Sequence, residues 1–199
     1  MRSWLVAVTL VGGWVALDDA DPTPLGASAE PLSVCGTSLQ AAINAAAPDA
    51  IIEGCAGTYA ERLVVDGKRI ELRGAGAGAT IIDAGTLGRA LTISSVGGTG
   101  VTVRGLTLRN GKTAGTGAGI SCTGSRLVVR DSILGGNRAT SGGGLAADGC
   151  VLDVAGTRFE NNDASGARGG GVLTTASSGL LAGNTSSREG AAPPQLIIQ

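Results

Sequence analysis

The sequence predicts an all-β fold, a right-handed parallel β-helix (solenoid) of about five to six coils with a short N-terminal capping helix. Three observations carry the prediction. Ile70 and Leu72, Leu91 and Ile93, Val101 and Val103, Leu127 and Val129, and Leu152 and Val154 each frame an apolar-x-apolar triplet, the period of two expected of a short strand with one buried face. The triplets recur in phase: IELRG from Ile70, VTVRG from Val101, LVVRD from Leu127 and LDVAG from Leu152, the later copies about 25 residues apart. Finally, 35 glycines coexist with 43% hydrophobic residues, too apolar for a disordered chain but suited to coils that turn sharply.

Taken in order, the chain opens with Arg2 and an apolar run from Trp4 to Leu17, too short to span a bilayer comfortably, so residues 1–20 read as a secretory signal peptide. An uncleaved anchor is the alternative, and either one exports the body. Residues 21–34, rich in Pro, Ala and acid, read as an exposed lead-in. The stretch TSLQAAINAAAPDA then predicts the capping helix, with Thr37 as N-cap, Gln40 as its capping-box partner, Leu39, Ala42, Ile43 and Ala46 on one face, and Pro48 ending it. The solenoid is assigned to residues 35–185. Each triplet is followed by a second short strand (TII at Thr80, LTL at Leu106, IL at Ile133, RF at Arg158) and a third (ALTI at Ala90, GAGI at Gly117, GGGL at Gly142, GGGV at Gly169). Three strands per repeat describe one coil. After Gly171 the spacing shortens and VLTTASSGLLAGN lacks a full triplet, so residues 186–199 are expected as an irregular tail or cap.

Asn137, Asn162 and Asn184 each stand three residues after Leu134, Phe159 and Leu181. One coil apart, their amides are expected to bond in a structural ladder, with the asparagines in the left-handed conformation they tolerate. The four cysteines allow three pairings. Cys35 and Cys55 flank one short segment and form the preferred disulfide, a closure of about 3 kcal/mol in the chain-entropy account. Cys122 and Cys150 are the candidate second pair. An exported chain favours oxidation.

The segment SLQAAINAAAPDAIIEGCAGTYAERLVVDGKRIELRGAGAGATIID resembles the N-terminal portion of pectin-lyase-like right-handed β-helix proteins: the S-L-Q-A-A-I helix, G-T-Y-x-E-x-L at Gly57 to Leu63, and I-x-L-x-G at Ile70 to Gly74. Gly142 to Leu145 and Phe159 to Asn162 resemble the G-G-A-[ILV] and F-x-x-N repeats of chlamydial-type polymorphic outer-membrane proteins, with Gly117 to Ile120 and Leu134 to Asn137 as looser copies. Together the resemblance covers roughly Cys35 to Asn184. It implies the fold, and it supplies enzymatic sites to look for. Polygalacturonase-like hydrolysis needs a histidine-containing motif, and the chain has no histidine. Paired carboxylates for glycoside hydrolysis are not brought together by the repeat: Asp131 aligns with Gly105 and Gly156, and Thr102 and Val128 separate Glu71 from Asp153. Methylesterase-like sites need paired glutamines, but the glutamines are Gln40, Gln195 and Gln199. Lyase-like sites need an acidic Ca²⁺ cluster with a catalytic Arg or Lys, and no such acidic cluster stands in the sequence. No catalytic residue, cofactor or metal ligand is therefore assigned.

Arg73, Arg104 and Arg130 occupy one place, directly after the triplet, and alternation points them outward. They are either an anion-binding stripe for uronate, phosphate or sulfate groups, or a solvated face neutralised by Glu71, Asp131 or Asp153. The second reading is preferred. A net charge of −1 gives no pull toward nucleic acid. The sequence is thus expected to encode a non-enzymatic, secreted or cell-surface protein (outer membrane or extracellular), adhesin-like or structural. The alternative is a polysaccharide-active enzyme of the pectin-lyase-like type, or a fragment of one. Expected partners are a cell-surface or anionic polysaccharide ligand and, through an open solenoid end, a second copy. Membrane contact is expected only through an uncleaved signal or a C-terminal part beyond this sequence.

Overall fold

The computed structural model describes residues 30–94, 100–187 and 196–198. The expected signal peptide, the lead-in up to residue 29 and much of the expected tail lie outside them. The described chain is a parallel β-solenoid of about five turns. Its faces are a seven-stranded sheet and two six-stranded sheets, joined by a two-stranded sheet.

The first sheet stacks Leu32–Val34, Ala50–Gly54, Ile70–Gly74, Val101–Arg104, Arg126–Arg130, Val151–Ala155 and Ser178–Ala182, all parallel. Its register is the one that the aligned triplets predict: Ile70 pairs with Val101, Val101 with Leu127, and Leu127 with Leu152. The inward positions form continuous columns, because a parallel ladder sets equivalent residues about 5 Å apart. One runs Ile52, Leu72, Val103, Val129, Val154. In the second sheet, Tyr59, Ile82, Leu108, Leu134 and Phe159 form another. In the third, Leu63, Leu91, Ile120, Leu145 and Val172 do the same. All are buried, and each aliphatic side chain removed from water stabilises the stack by about 1.5–3 kcal/mol.

Cys35–Cys55 and Cys122–Cys150 are both disulfides. The first ties the strand Leu32–Val34 to the next coil, and the second links a core position of the third sheet to the following corner.

Each turn bends at corners built alike. A residue with positive φ is followed by one whose side chain points inward. Between the first and second sheets, Gly105, Asp131, Gly156 and Gly183 (φ 63, 48, 60 and 61) precede Leu106, Ser132, Thr157 and Asn184. Leaving the second sheet, Gly136 and Asn161 (φ 64 and 54) precede Asn137 and Asn162, and Asn110 (φ 55) precedes Gly111, which offers only its backbone N–H. At several corners the inward side chain accepts a hydrogen bond from the backbone N–H of its equivalent one coil earlier: Asn137 Oδ1 from Gly111 (2.8 Å), Asn162 Oδ1 from Asn137 (3.1 Å), Asn184 Oδ1 from Thr157 (2.9 Å) and, after Ala176 (φ 47) at the corner leaving the third sheet, Ser177 Oγ from Cys150 (3.0 Å).

These corners correct two expectations. Asn137 and Asn162 stack, with Asn137 Nδ2 donating to Asn162 Oδ1 at 3.0 Å, but Asn184 stands at another corner. Leu181 pairs with Val154 in the first sheet, whereas Leu134 pairs with Phe159 in the second, so the shared three-residue spacing is a coincidence of letters. The left-handed conformation is carried by the residue before each asparagine, not by Asn137, Asn162 or Asn184 themselves.

The helix spans Leu39–Ala45 and buries Leu39 and Ile43 over the first coil. Its N-cap is Ser38 rather than Thr37, with Ser38 Oγ accepting from Ala41 N at 3.1 Å. The free N–H groups of Leu39 and Gln40 are taken by the Glu61 carboxylate at 3.1 and 2.9 Å. Glu61 therefore does the work expected of a capping box, with the added attraction of an anion for the helix N-terminus. Gln40 instead spans the edge of the strand Leu63–Asp66: its Oε1 accepts from Val64 N (2.7 Å) and its Nε2 donates to Val64 O (3.1 Å). One side-chain amide thus satisfies an edge residue as a neighbouring strand would.

Regular pairing also continues past Gly171. Val172–Thr175, Ser178–Ala182 and Thr185–Ser187 extend the three sheets in register, and Leu196–Ile198 pairs with Val172–Thr174. The strand missed at Ser178–Ala182 has Gly179 facing Leu152, which breaks the apolar-x-apolar spelling without breaking the ladder.

Candidate functional site

The arginine stripe is the first surface to weigh. Arg73, Arg104 and Arg130 are register partners in successive coils. Each has an acid at hand. Arg73 contacts Glu53 at 3.0 Å and Glu71 at 2.9 Å. Arg130 pairs with the Asp153 carboxylate and donates to the Asp153 carbonyl at 2.8 Å. Arg104 meets Asp131 at 3.8 Å, with both side chains more than half exposed, at 58% and 63%. The hydrogen bond that Arg73 donates to Glu71 pushes its guanidinium above its ordinary value, and the bond from Arg130 holds the Asp153 carboxyl below its own. Glu71, Asp131 and Asp153 are the neutralising acids expected from the sequence. The alternation of charge leaves this face with little to offer an outside anion.

A second charged arrangement lies between the second and third sheets, where the sequence reading placed no strand. Arg138–Ser141 and Asp163–Arg168 form the two-stranded sheet, and Lys112 and Thr116 bridge to it from the coil before. Its inward positions are the buried alanines Ala139 and Ala164, too small to announce a strand by hydrophobic alternation. Beside it, the loop from Ala84 to Ala90 folds out of the second coil. This loop is pinned by Thr86 N to Asn110 O (2.8 Å), Lys112 N to Gly88 O (2.8 Å), and the Arg62 guanidinium to Leu87 O (2.8 Å).

Loop and sheet enclose a groove of about 500 Å³, lined in part by Leu87, Lys112, Thr113, Arg138, Thr140 and Ser165. That volume is in the range of small-molecule sites. Arg138 contacts its register partner Asp163 at 2.9 Å. Among the described residues, no carboxylate lies within 4.0 Å of Lys112, Arg62 or Arg89. Asp83, the nearby acid of the second sheet, is committed elsewhere. Burial pushes its carboxyl up, but the Asn110 amide, the Gly85 N–H and the Arg109 guanidinium together hold it below the usual carboxylate range. Glu61 is committed to the helix cap.

The glycine-triplet and F-x-x-N motifs meet in space. A Cβ on Gly119 would lie 2.3 Å from Gly144 O and 2.8 Å from Asn137 Nδ2, and one on Gly144 would lie 2.5 Å from Gly171 O and 3.1 Å from Asn162 Nδ2. The glycines leave room for the asparagine amides of the next coil, so the two motifs are halves of one packing unit. Among the described residues, no group of three or more His, Cys, Asp or Glu side chains converges as a metal site would require. Comparison with family models, with curated proteins and with solved structures returned no match to this chain.

Proposed function

We propose that this chain is an exported, non-enzymatic surface protein, an adhesin-like or structural interaction domain built on a parallel β-helix. The observation that carries the reading is the use made of its outward carboxylates. Glu53 and Glu71 bind Arg73, Asp83 binds Arg109 and Asn110, Asp153 binds Arg130, Asp163 binds Arg138, and Glu61 caps the helix. Acids committed to holding coils together are poorly placed to act as general acid and base, which need a reacting group within hydrogen-bond reach. Two disulfides support an oxidising compartment. The likeness to pectin-lyase-like and polymorphic outer-membrane proteins supports the reading only at the level of repeats. The glycine and asparagine motifs that carry it have packing roles, and a fold hosts many functions.

Two measurements test the proposal. Antibody labelling of intact cells should match that of permeabilised cells, and labelling only after permeabilisation would overturn surface display. Purified protein incubated with polygalacturonate should release neither unsaturated nor reducing ends. Release that scales with protein would favour the rival, a polysaccharide-active enzyme of the pectin-lyase-like type.

A further inference from the structure

We infer that the last coil of the solenoid docks a second copy of this chain across a two-fold axis, edge strand against edge strand. The inference stands apart from surface display and rests on the geometry of that coil. Among the described residues, Ser178–Ala182, Thr185–Ser187 and Leu196–Ile198 are the final members of the three sheets, each with a strand on one side only. Such an edge presents unpaired N–H and C=O groups to whatever approaches it. Ser178 N donates back to Cys150 O, and Ala182 O accepts back from Gly156 N. Bonding direction alternates along a strand, so Gly179 and Leu181 turn their N–H and C=O groups to the open edge.

This strand is complementary to itself. A two-fold axis through Leu180 sets an identical strand antiparallel to it, with Gly179 opposite Leu181 of the second copy and Leu181 opposite Gly179. These are the residues whose groups face the edge, so each exchanges both backbone bonds with the residue opposite. The side chains fit the same register. Leu181 continues the inward column after Val154, and it meets a glycine, which leaves room for it. Leu180 meets Leu180 of the second copy in a non-hydrogen-bonded pair, where side chains approach closest. It points outward and is 61% exposed, and Val151, 44% exposed, stands on the same face of the neighbouring strand. Two copies merge these four side chains into one apolar cluster across the axis. The same operator sets Thr185–Ser187 against Leu196–Ile198 of the second copy, so all three edges are covered and the pairing closes at two chains. Head-to-tail stacking is disfavoured by the other end. There the helix covers the core, Gln40 already holds Val64 at the edge of Leu63–Asp66, and the helix exposes only Ala41, Asn44 and Ala45.

Analytical ultracentrifugation of the purified chain over a dilution series tests the pairing. Wild type should pass reversibly from one chain to two and stop there. Leu180→Lys sets like charges face to face and should weaken pairing by at least about tenfold, with an unchanged circular dichroism spectrum. Leu180→Cys should give a disulfide-linked pair on air oxidation, because residues facing each other across the axis lie within disulfide reach. Ser178→Cys, set opposite Ala182, should not. A chain that stays single at every concentration, a pair that Leu180→Lys leaves intact, or equal cross-linking of the two cysteine variants overturns the proposal. Growth beyond two chains would mean head-to-tail stacking and overturns it as well. Should Leu180→Lys fail to fold, the cross-linking comparison still decides. Antibody labelling reads surface display separately, so either reading can fail while the other stands.

Discussion

The solenoid carries two stacks of equivalent residues from successive coils, an asparagine pair inside and an arginine stack outside. Asn137 and Asn162 are fully buried, and each amide is committed: Asn137 to Gly111 N, Leu108 O and Asn162, and Asn162 to Asn137 and Leu134 O. Arg73, Arg104 and Arg130 lie on the outside among acids and solvent. In a parallel solenoid any periodic residue stacks on its equivalent. Burial decides what the stacking is worth, because water replaces a lost partner outside and cannot replace it inside.

The sharpest way to break the comparison is Asn137→Ala. It strands the Gly111 N–H and the Leu108 carbonyl in the interior and should lower stability by about 3–5 kcal/mol in urea denaturation. Asn137→Asp should not rescue it, since a carboxylate cannot donate to Leu108 O. A loss under about 1 kcal/mol would mean that the interior stack is no stronger than a surface one. Asn184→Ala removes bonds to Thr157 N and Val154 O at a partly exposed corner, and a smaller loss of about 1 kcal/mol is expected because water reaches it.

Asp83 tests the outer surface through pH. Its carboxyl titrates below the ordinary value in the folded protein, so its contribution is fully present above the unfolded value of about 3.9 and fades as pH falls through the folded one. Asp83→Asn should therefore flatten the fall of the thermal midpoint below about pH 4, and an unchanged slope would show that Asp83 adds nothing. The smallest effect is expected from Arg104→Ala, whose denaturation midpoint and retention on acidic resin should both match wild type. Weakened retention would restore the stripe as a binding surface.

Much of the fold was legible because the core triplets carry branched aliphatic side chains at a fixed period. IELRG, VTVRG, LVVRD and LDVAG pair residue for residue as aligned, and both cysteine pairs form. The two-stranded sheet was not legible, since its inward positions are Ala139 and Ala164 and its outward ones are polar. Nor was the groove, whose cations come from separate coils and share no motif. Glu61 as the helix cap was hidden for a similar reason: it lies 22 residues beyond Leu39 in the chain, and capping rules look three residues ahead. Asn184 shows the opposite failure, a matched spacing read in the wrong sheet.

The corner rule has a consequence for descent. Because inward corner side chains such as Asn137, Asn162 and Asn184 close the coil before them, a whole coil such as residues 126–150 carries its own share of donors and acceptors. Gene duplication or loss of such a unit leaves the groups on either side matched, whereas an insertion of a few residues shifts every later pair. Related chains should therefore differ in length by whole coils, and the heritable variable is the reach of the rod rather than its cross-section.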